Sequence, residues 1–377
     1  MRGHNEDVAV TSPDRLRRDL VDLLHRAADV REYSLRAARI VGRSVPYDGV
    51  CMLTLDPATS LPTSEVSENG LPTDVMPRMA QIEIGVGDVN TFQTLIRSGR
   101  CTASLSEATD GDLDRSLRHR ELRAPNGFGD ELRTVLSSEN VTWGGLSLLR
   151  GSDRGPFTPA DAILVASLAR HLAEGLRRAI LLTALTANPQ EDDGEAGLVL
   201  LAEDDSILMT DAAADAWLAQ LGAGESGAHL LSVVAAVANR ARTAVDEEEP
   251  LLARTRVRTP SGTWLVVRGS RLSGEGEARI AVTIEPARAH DLAPLIADAY
   301  GLTERERAVT QLVAQGLATD AIAGRLHISP WSVQDHLKSV FEKVGVRTRG
   351  ELVSRVFLEH FAPRLAEPAA PAVNETI

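Results

Sequence analysis

Between Leu302 and Phe361 the chain carries four helix start-and-stop signals in succession, in LTERERAVTQLVAQGLATDAIAGRLHISPWSVQDHLKSVFEKVGVRTRGELVSRVFLEHF. Signals this closely spaced restrict the segment to short helices joined by tight turns. Thr303 with Glu306 forms a capping-box pattern, and Gly316 closes a first helix, about 304–315, whose apolar side is Val309, Leu312 and Val313. Thr319 is placed to cap a short second helix that buries Ile322 and Leu326. Ser329 followed by Pro330 reads as an N-cap and first helical residue, and this third helix stops at Gly345. Thr348 and Glu351 repeat the capping box and open a fourth helix with Leu352, Val356 and Phe357 inside. Only a few residues separate the second and third helices, the spacing of a helix-turn-helix.

The third helix also holds the chain's two lysines, Lys338 and Lys343. Its 3.6-residue period turns Val333, Leu337, Val340, Phe341 and Val344 inward. Gln334, Asp335 and Lys338 then share the outer face, with chemistry suited to base edges: Gln pairs with adenine, Asp accepts from cytosine, Lys donates to guanine. Lys343, Arg347 and Arg349 lie toward the helix end, where phosphate contacts are expected, and Thr319, Ser329 and Ser332 are assigned to the phosphate side with them. A charged face that is merely solvated is the plainer account of such residues. Four consecutive matches of cap and period argue against it.

The segment resembles the LuxR or GerE type of DNA-binding domain. Leu302, Thr303, Arg305, Glu306, Gly316, Ile322, Ala323, Leu326, Ser329, Val333, His336, Lys343 and Arg349 all fall on that family's pattern. The resemblance implies an all-α four-helix domain over residues 300–362, double-stranded DNA as partner, base reading by Gln334, Asp335 and Lys338, and a backbone contact from Lys343. Two positions depart from the family: Ala321 stands where an acidic residue is usual, and Ser332 where threonine is usual. Ser332 keeps the hydroxyl, so the departure at Ala321 bears on the domain's stability rather than on DNA.

The chain has a formal net charge of −13. From Leu302 to Ala362 there are six Arg and two Lys against two Asp and five Glu, a net of +1, which leaves −14 on the rest. A weakly positive reading head on an acidic body binds non-specific DNA poorly, so a homodimer on paired half-sites is expected. An apolar series at four-residue spacing, Leu164, Leu168, Leu172, Leu176 and Ile180, would suit a helical dimer contact or packing onto the chain's own sheet.

A length of 377 residues suggests two to four domains, and 43% apolar with 25% charged residues is ordinary for a globular protein. No apolar run approaches a membrane span and the first residues hold no signal-peptide core, so a cytoplasmic, non-membrane protein is expected. Cys51 and Cys101 have no disulfide or metal-ligand spacing; each reads as a small buried apolar residue, with Cys101 the better redox candidate.

Residues 14–187 read as helices, strands in GVCMLTLD and LRTVLSSENVTWGGLSLLR, and a long helix opening at Thr158, Pro159 and Asp161. This order, with the passage WGGLSLLRGSDRGPFTPAD, resembles a GAF domain. The family's cyclic-nucleotide signature is absent and Cys51 lies outside a bilin-attachment dipeptide, so no ligand chemistry is carried over and no cofactor is expected. His119, in a polar stretch, reads as a solvated loop histidine rather than a haem or metal ligand, and Trp143 as a core or edge aromatic. After the acidic break NPQEDDGEAG, residues 192–288 read as two strands, a helix and three antiparallel strands, resembling a PAS domain. LVLLAEDD also looks like the start of a phosphoacceptor receiver domain, but no lysine precedes Lys338 and the βα alternation is missing. A linker helix is expected over 293–300 and a disordered tail over 363–377.

The fold class expected is therefore multidomain: α+β sensory domains, GAF-like and PAS-like, followed by the all-α helix-turn-helix domain. No catalytic constellation is visible, and the function expected is that of a sequence-specific DNA-binding transcriptional regulator. A small-molecule ligand and RNA polymerase are further candidate partners. The alternative is a sensory or scaffold protein acting through protein partners.

Overall fold

The computed structural model describes residues 12–26, 29–185, 194–222, 227–243, 252–272 and 279–358, divided into two compact units. The expected tail, most of the acidic break and the SGEGE turn lie outside these residues, as does the side chain of Phe357.

The first unit opens with α1 (Pro13–Leu24) and α2 (Val30–Gly42), the latter capped by Asp29, whose carboxylate accepts from the Glu32 amide at 2.8 Å. There follow β1 (Gly49–Leu55), β2 (Pro62–Glu68), α3 (Met76–Ala80), α4 (Phe92–Ser98), β3 (Thr102–Ser104), α5 (Leu105–Ala108), β4 (Phe128–Ser138), β5 (Val141–Gly151) and α6 (Pro159–Leu185). The strands make one antiparallel sheet in the order β2-β1-β5-β4-β3. Its central hairpin turns on Glu139 and Asn140, both at positive φ, the two-residue connection whose twist matches that of the strands.

The paired glycines of WGGLSLLR have a steric cause. A Cβ at Gly144 would lie 2.2 Å from the Leu53 carbonyl oxygen and 2.6 Å from Leu176 of α6, and one at Gly145 would lie 2.3 Å from the Phe92 ring. Only glycine lets α6 and α4 close on the two faces of β5. Leu168, Leu172 and Leu176 are fully buried and Ile180 nearly so, and the Tyr33 hydroxyl of α2 donates to the Leu172 carbonyl at 2.9 Å. The leucine series therefore packs inside this chain, and the suggestion that it forms a dimer contact loses its basis.

A second antiparallel sheet comprises β6 (Gly197–Leu201), β7 (Ile207–Thr210), β8 (Arg254–Arg258), β9 (Trp264–Leu272) and β10 (Arg279–Pro286). Between β7 and β8 lie α7 (Ala212–Gly222) and α8 (Gly227–Thr243). Its order, β7-β6-β10-β9-β8, repeats that of the first sheet. An antiparallel sheet excludes the receiver alternative, and Asp205 of the acidic LVLLAEDD run is spent on an ion pair with Arg242 at 2.6 Å.

The two sheets are one body. From Ser232 to Ala241 every residue of α8 is buried, as in a helix covered on all sides. One side lies on β9 and β10, the other on α3 and the helical turn Gln81–Val86. Leu61 and Ala80 of the first half share a core with Val199, Val233, Val237 and Val282 of the second. Buried Arg256 pairs with buried Asp56 at 3.3 Å, and the Thr255 hydroxyl donates to the Pro62 carbonyl at 3.0 Å.

Two sequence expectations change here. His119 is buried, not solvated, and burial holds its pKa below the usual imidazole value. Cys101 is exposed, whereas Cys51 is partly buried beside Glu65, at 3.3 Å from its carboxylate, and burial followed by the Glu65 charge pushes the thiol pKa up. Trp143 is a core residue.

The second unit begins with α9 (Ala289–Ala299), four residues earlier than the linker helix expected, and continues with α10 (Glu304–Ala314), α11 (Thr319–Leu326), α12 (Pro330–Val344) and α13 (Arg349–Val353). Both arms of the first capping box form: the Glu306 amide donates to the Thr303 hydroxyl at 3.3 Å, and Glu306 accepts from the Thr303 amide at 2.7 Å. Ala318, not Thr319, is the cap of α11. At the second box Thr348 caps as expected, but Glu351 reaches the amide of Arg347 instead of that of Thr348. His327 takes the left-handed conformation between α11 and α12, which makes the turn of the helix-turn-helix tight.

Because Leu168 is fully enclosed, Leu168→Ala is expected to cost about 2–5 kcal/mol of stability in urea unfolding of the full chain. A loss below about 0.5 kcal/mol, the usual effect at a surface site, would return the stripe to the surface.

Candidate nucleic-acid interface

The inner side of α12 is fixed by Val333, Leu337, Val340 and Val344, all buried, while Gln334, Asp335 and Lys338 stand exposed on the outside. Five of the nine residues singled out in the sequence, Thr319, Gln334, Lys338, Arg347 and Arg349, line one shallow depression together with Leu337, Phe341 and Thr348. The depression therefore gathers the middle of α12, the start of α11 and the turn into α13. Asp335, Ser329, Ser332 and Lys343 do not line it.

The cations there are of two kinds. Lys338 and the Arg347 guanidinium make no ion pair among the described residues, so their charges remain available. Arg349 is internally engaged, donating to the Thr319 hydroxyl at 2.7 Å and to the Leu317 carbonyl at 3.1 Å. This ties α13 to the start of α11 and orients both partners at the rim of the depression. Ser329 accepts from the Ser332 amide at 3.0 Å, and the two hydroxyls lie 2.8 Å apart, so they serve first to set the start of α12.

Lys343, expected to meet phosphate, has partners inside the domain: the residue is exposed, and its ammonium donates to Glu306 at 2.7 Å and to the Gly301 carbonyl at 3.0 Å. Glu306, 4% exposed, also accepts from the Ser339 hydroxyl at 2.6 Å and from the Thr303 amide. Burial by itself would raise this carboxyl; the hydrogen bonds from Lys343, Ser339 and Thr303 outweigh it and hold the pKa at about 2. One carboxylate thus caps α10 and clamps α12 to it. Arg305 plays a similar local part, donating to the Leu326 carbonyl at the end of α11 at 2.7 Å.

Trp331 has no place in the sequence expectations, yet it is 74% exposed at the start of α12. Its spacing of three from Gln334 and four from Asp335 is the signal that marks it as part of the same face.

The model for bacterial regulatory proteins of the luxR family matches residues 301–356. These residues are a LuxR-family helix-turn-helix domain. The transcriptional regulatory protein UhpA of Escherichia coli is 45% identical over 56 residues, which is 15% of this chain and 29% of that protein. The transcriptional regulatory protein DesR of Bacillus subtilis is 38% identical over 61 residues, 16% of this chain and 31% of that protein. This chain thus spans less than a third of the length of these relatives. Among solved structures, Escherichia coli SdiA aligns over 91% of this chain and 96% of its own, at 12% identity and a TM-score of 0.33. The GAF domain of a phosphoenolpyruvate-protein phosphotransferase from Coxiella burnetii aligns over 46% of this chain and 97% of its own, at 14% identity and a TM-score of 0.32.

Outside the LuxR-type domain, the first unit holds a narrow, partly open cavity of about 70 Å³. Leu53, Leu55, Met76, Met79, Ile84 and Phe92 supply apolar wall, and Ser232 and Ala236 of α8 contribute from the second sheet's side. Arg123 and Arg133 line it as parts of a buried ionic network in which Glu131 receives Arg118, Arg123 and Arg133 at 2.9, 2.9 and 3.0 Å. Burial would raise the Glu131 carboxyl, but the three guanidiniums hold it well below the usual carboxylate range. The Arg133 guanidinium also lies 4.6 Å from the centre of the Phe92 ring. Among the described residues, the Nε–H of Arg123 and the side-chain amide nitrogen of Gln93, both on residues lining this cavity, have no hydrogen-bond partner.

Glu306 sets a pH dependence for the LuxR-type domain. Its folded pKa of about 2 lies below the ordinary 4.5, so its contribution to stability is complete above about 4.5 and is lost as pH falls toward 2. Glu306→Gln is expected to be less stable than the wild type at neutral pH, with the difference shrinking as thermal unfolding is followed from pH 5 down to pH 2. A difference independent of pH would show that this carboxylate is not the clamp.

Proposed function

We propose that this protein is a sequence-specific DNA-binding transcriptional regulator, in which the two-sheet unit senses a small molecule and sets the availability of the LuxR-type domain. The observation that carries the DNA reading is the outer face of α12: Gln334, Asp335 and Lys338 stand exposed on a helix whose opposite side is locked into the bundle. Such an arrangement lets a helix enter the major groove as a rigid body and meet base edges with unspent polar groups. Lys338 and Arg347 supply available positive charge beside it, and Thr319, Ser329, Ser332 and Arg349 are assigned to backbone oxygens. Lys343 is assigned to holding the domain together rather than to phosphate.

Sensing rests on the cavity of the first unit. Its walls are largely apolar, with unpartnered N–H donors on Arg123 and Gln93, so it suits a small apolar molecule that carries an acceptor oxygen. Since α8 helps close the cavity and also packs on the second sheet, occupancy would be felt by both halves of the unit. Homodimerisation on paired half-sites remains part of the reading because one head of net charge +1 brings little non-specific affinity. A contact with RNA polymerase would follow at a promoter. No described helix is long and apolar enough to cross a membrane, and a cytoplasmic location is proposed on the same reading.

A competing reading, action through protein partners alone, draws on edge strand β7, where Ile207, Leu208 and Met209 are exposed. Selection from randomised duplex DNA separates the two. The full chain is expected to enrich a defined sequence, and Gln334→Ala or Lys338→Ala should relax preference at particular positions at a cost of about 1–3 kcal/mol each. Arg347→Ala should weaken all sequences alike and lower the salt slope by about one. Failure to enrich any sequence would favour the partner-only reading. For control, a fragment of residues 288–377 is expected to keep the base preference of the full chain but to bind with different affinity; identical affinity and salt dependence would remove gating from the mechanism.

A further inference from the structure

We propose that Trp331 is a specificity-determining residue of the DNA interface, its indole resting on the 5-methyl group of a thymine one or two base steps beyond the pair met by Gln334 and Asp335. The inference rests on the DNA-binding reading and deepens it by naming a base that the polar residues of α12 cannot read.

Trp331 is the most exposed of the large apolar side chains among the described residues, at 74%, whereas Trp143 and Trp217 are buried. It contributes nothing to the core of its own domain, so its apolar surface is left for something else. At about 100° per residue, Trp331, Gln334, Asp335 and Lys338 fall within an arc of roughly 100° on α12, with Trp331 near the middle of it. The buried stripe of Val333, Leu337, Val340 and Val344 is centred on the opposite side. A surface that lies along this face and extends to the first turn of α12 therefore meets the indole as well as Gln334, Asp335 and Lys338.

Its height on the helix decides which part of that surface. Trp331 is the second residue of α12, roughly 4.5–6 Å before Gln334 and Asp335 at about 1.5 Å per residue. That offset is between one and two base-pair steps of about 3.4 Å. The N-terminal turn is the part of a recognition helix that reaches base edges, and here it is fixed by Pro330 and by the Ser329 cap on the Ser332 amide. The indole is thus presented from a set backbone. Among the groups that base pairs show in the major groove, the thymine methyl is the apolar one. Gln, Asp and Lys have no means of favouring it; an indole face does.

The test uses the full-length protein and the duplex it selects from randomised DNA. Each thymine of that duplex is replaced in turn by deoxyuridine, which removes the methyl and leaves the pairing intact. At one thymine outside the position that Gln334→Ala relaxes, the replacement is expected to weaken the wild type about fourfold, the weight of one buried methyl group. Trp331→Ala should bind thymine and uracil duplexes equally at that position, and Trp331→Phe should recover part of the difference. Iodide should quench the exposed indole in the free protein and lose access to it in the complex. If no thymine shows a penalty, if the penalty persists in Trp331→Ala, or if iodide still reaches the indole in the complex, Trp331 does not read a methyl, although DNA binding by the other residues stands. If no sequence is selected at all, the DNA-binding reading fails and this inference fails with it.

Discussion

The LuxR-type domain depends on one buried carboxylate. Glu306 closes the capping box at the start of α10, and the same two oxygens take hydrogen bonds from Ser339 and Lys343 of α12. A cap residue usually satisfies orphan amides of its own helix and nothing more. Here it also sets where the recognition helix lies against the first helix, because a charged acceptor with little access to water must keep its donors. Neutral donors alone would leave the carboxylate under-compensated, and the Lys343 ammonium supplies the missing charge. The outward face of α12 is then free of structural duty, and its polar side chains can be spent on recognition.

A comparable economy governs the first unit. Glu131 gathers three guanidiniums, and Arg118 and Arg133 are further held by Asp88 at 3.0 Å and Glu83 at 2.7 Å. Such a network is rigid where it is complete and exacting where it is not. Among the described residues Arg123 is its least compensated member, with one carboxylate partner and an unpartnered Nε–H, and it lines the cavity. Two sheets of the same strand order are then fused through α8, a helix buried on all sides from Ser232 to Ala241. Fusion converts a cavity of the first sheet into a feature of both, a structural precondition for passing a signal beyond the first sheet.

How much of this could be read from the amino-acid sequence differs between the two units. In the LuxR-type domain the caps at Thr303, Ser329 and Thr348 and the glycine stops at Gly316 and Gly345 are local devices, each acting within a turn of the residues that reveal it. The exposed face of α12 follows from the period of its apolar residues for the same reason. In the first unit, residues 62–126 hold β2, β3, α3, α4 and α5 in pieces too short to display a period, so no pattern marks them. Burial of His119 belongs to that stretch and is invisible in its polar surroundings.

The sequence by itself determined the helix-turn-helix, the caps at Thr303, Ser329 and Thr348, and the face that Gln334, Asp335 and Lys338 share, because these depend on contacts three and four residues apart. Tertiary structure decided what those residues are free to do. Lys343 is drawn to a carboxylate 37 positions earlier, Arg349 to a hydroxyl 30 positions earlier, and Leu168 to its own chain rather than to a second copy. It also decided that the two sheets form one body, through a pairing of Arg256 with Asp56 across 200 positions. A charged or apolar side chain has the same identity whichever partner it meets, and only the folded chain sets which partner lies within reach.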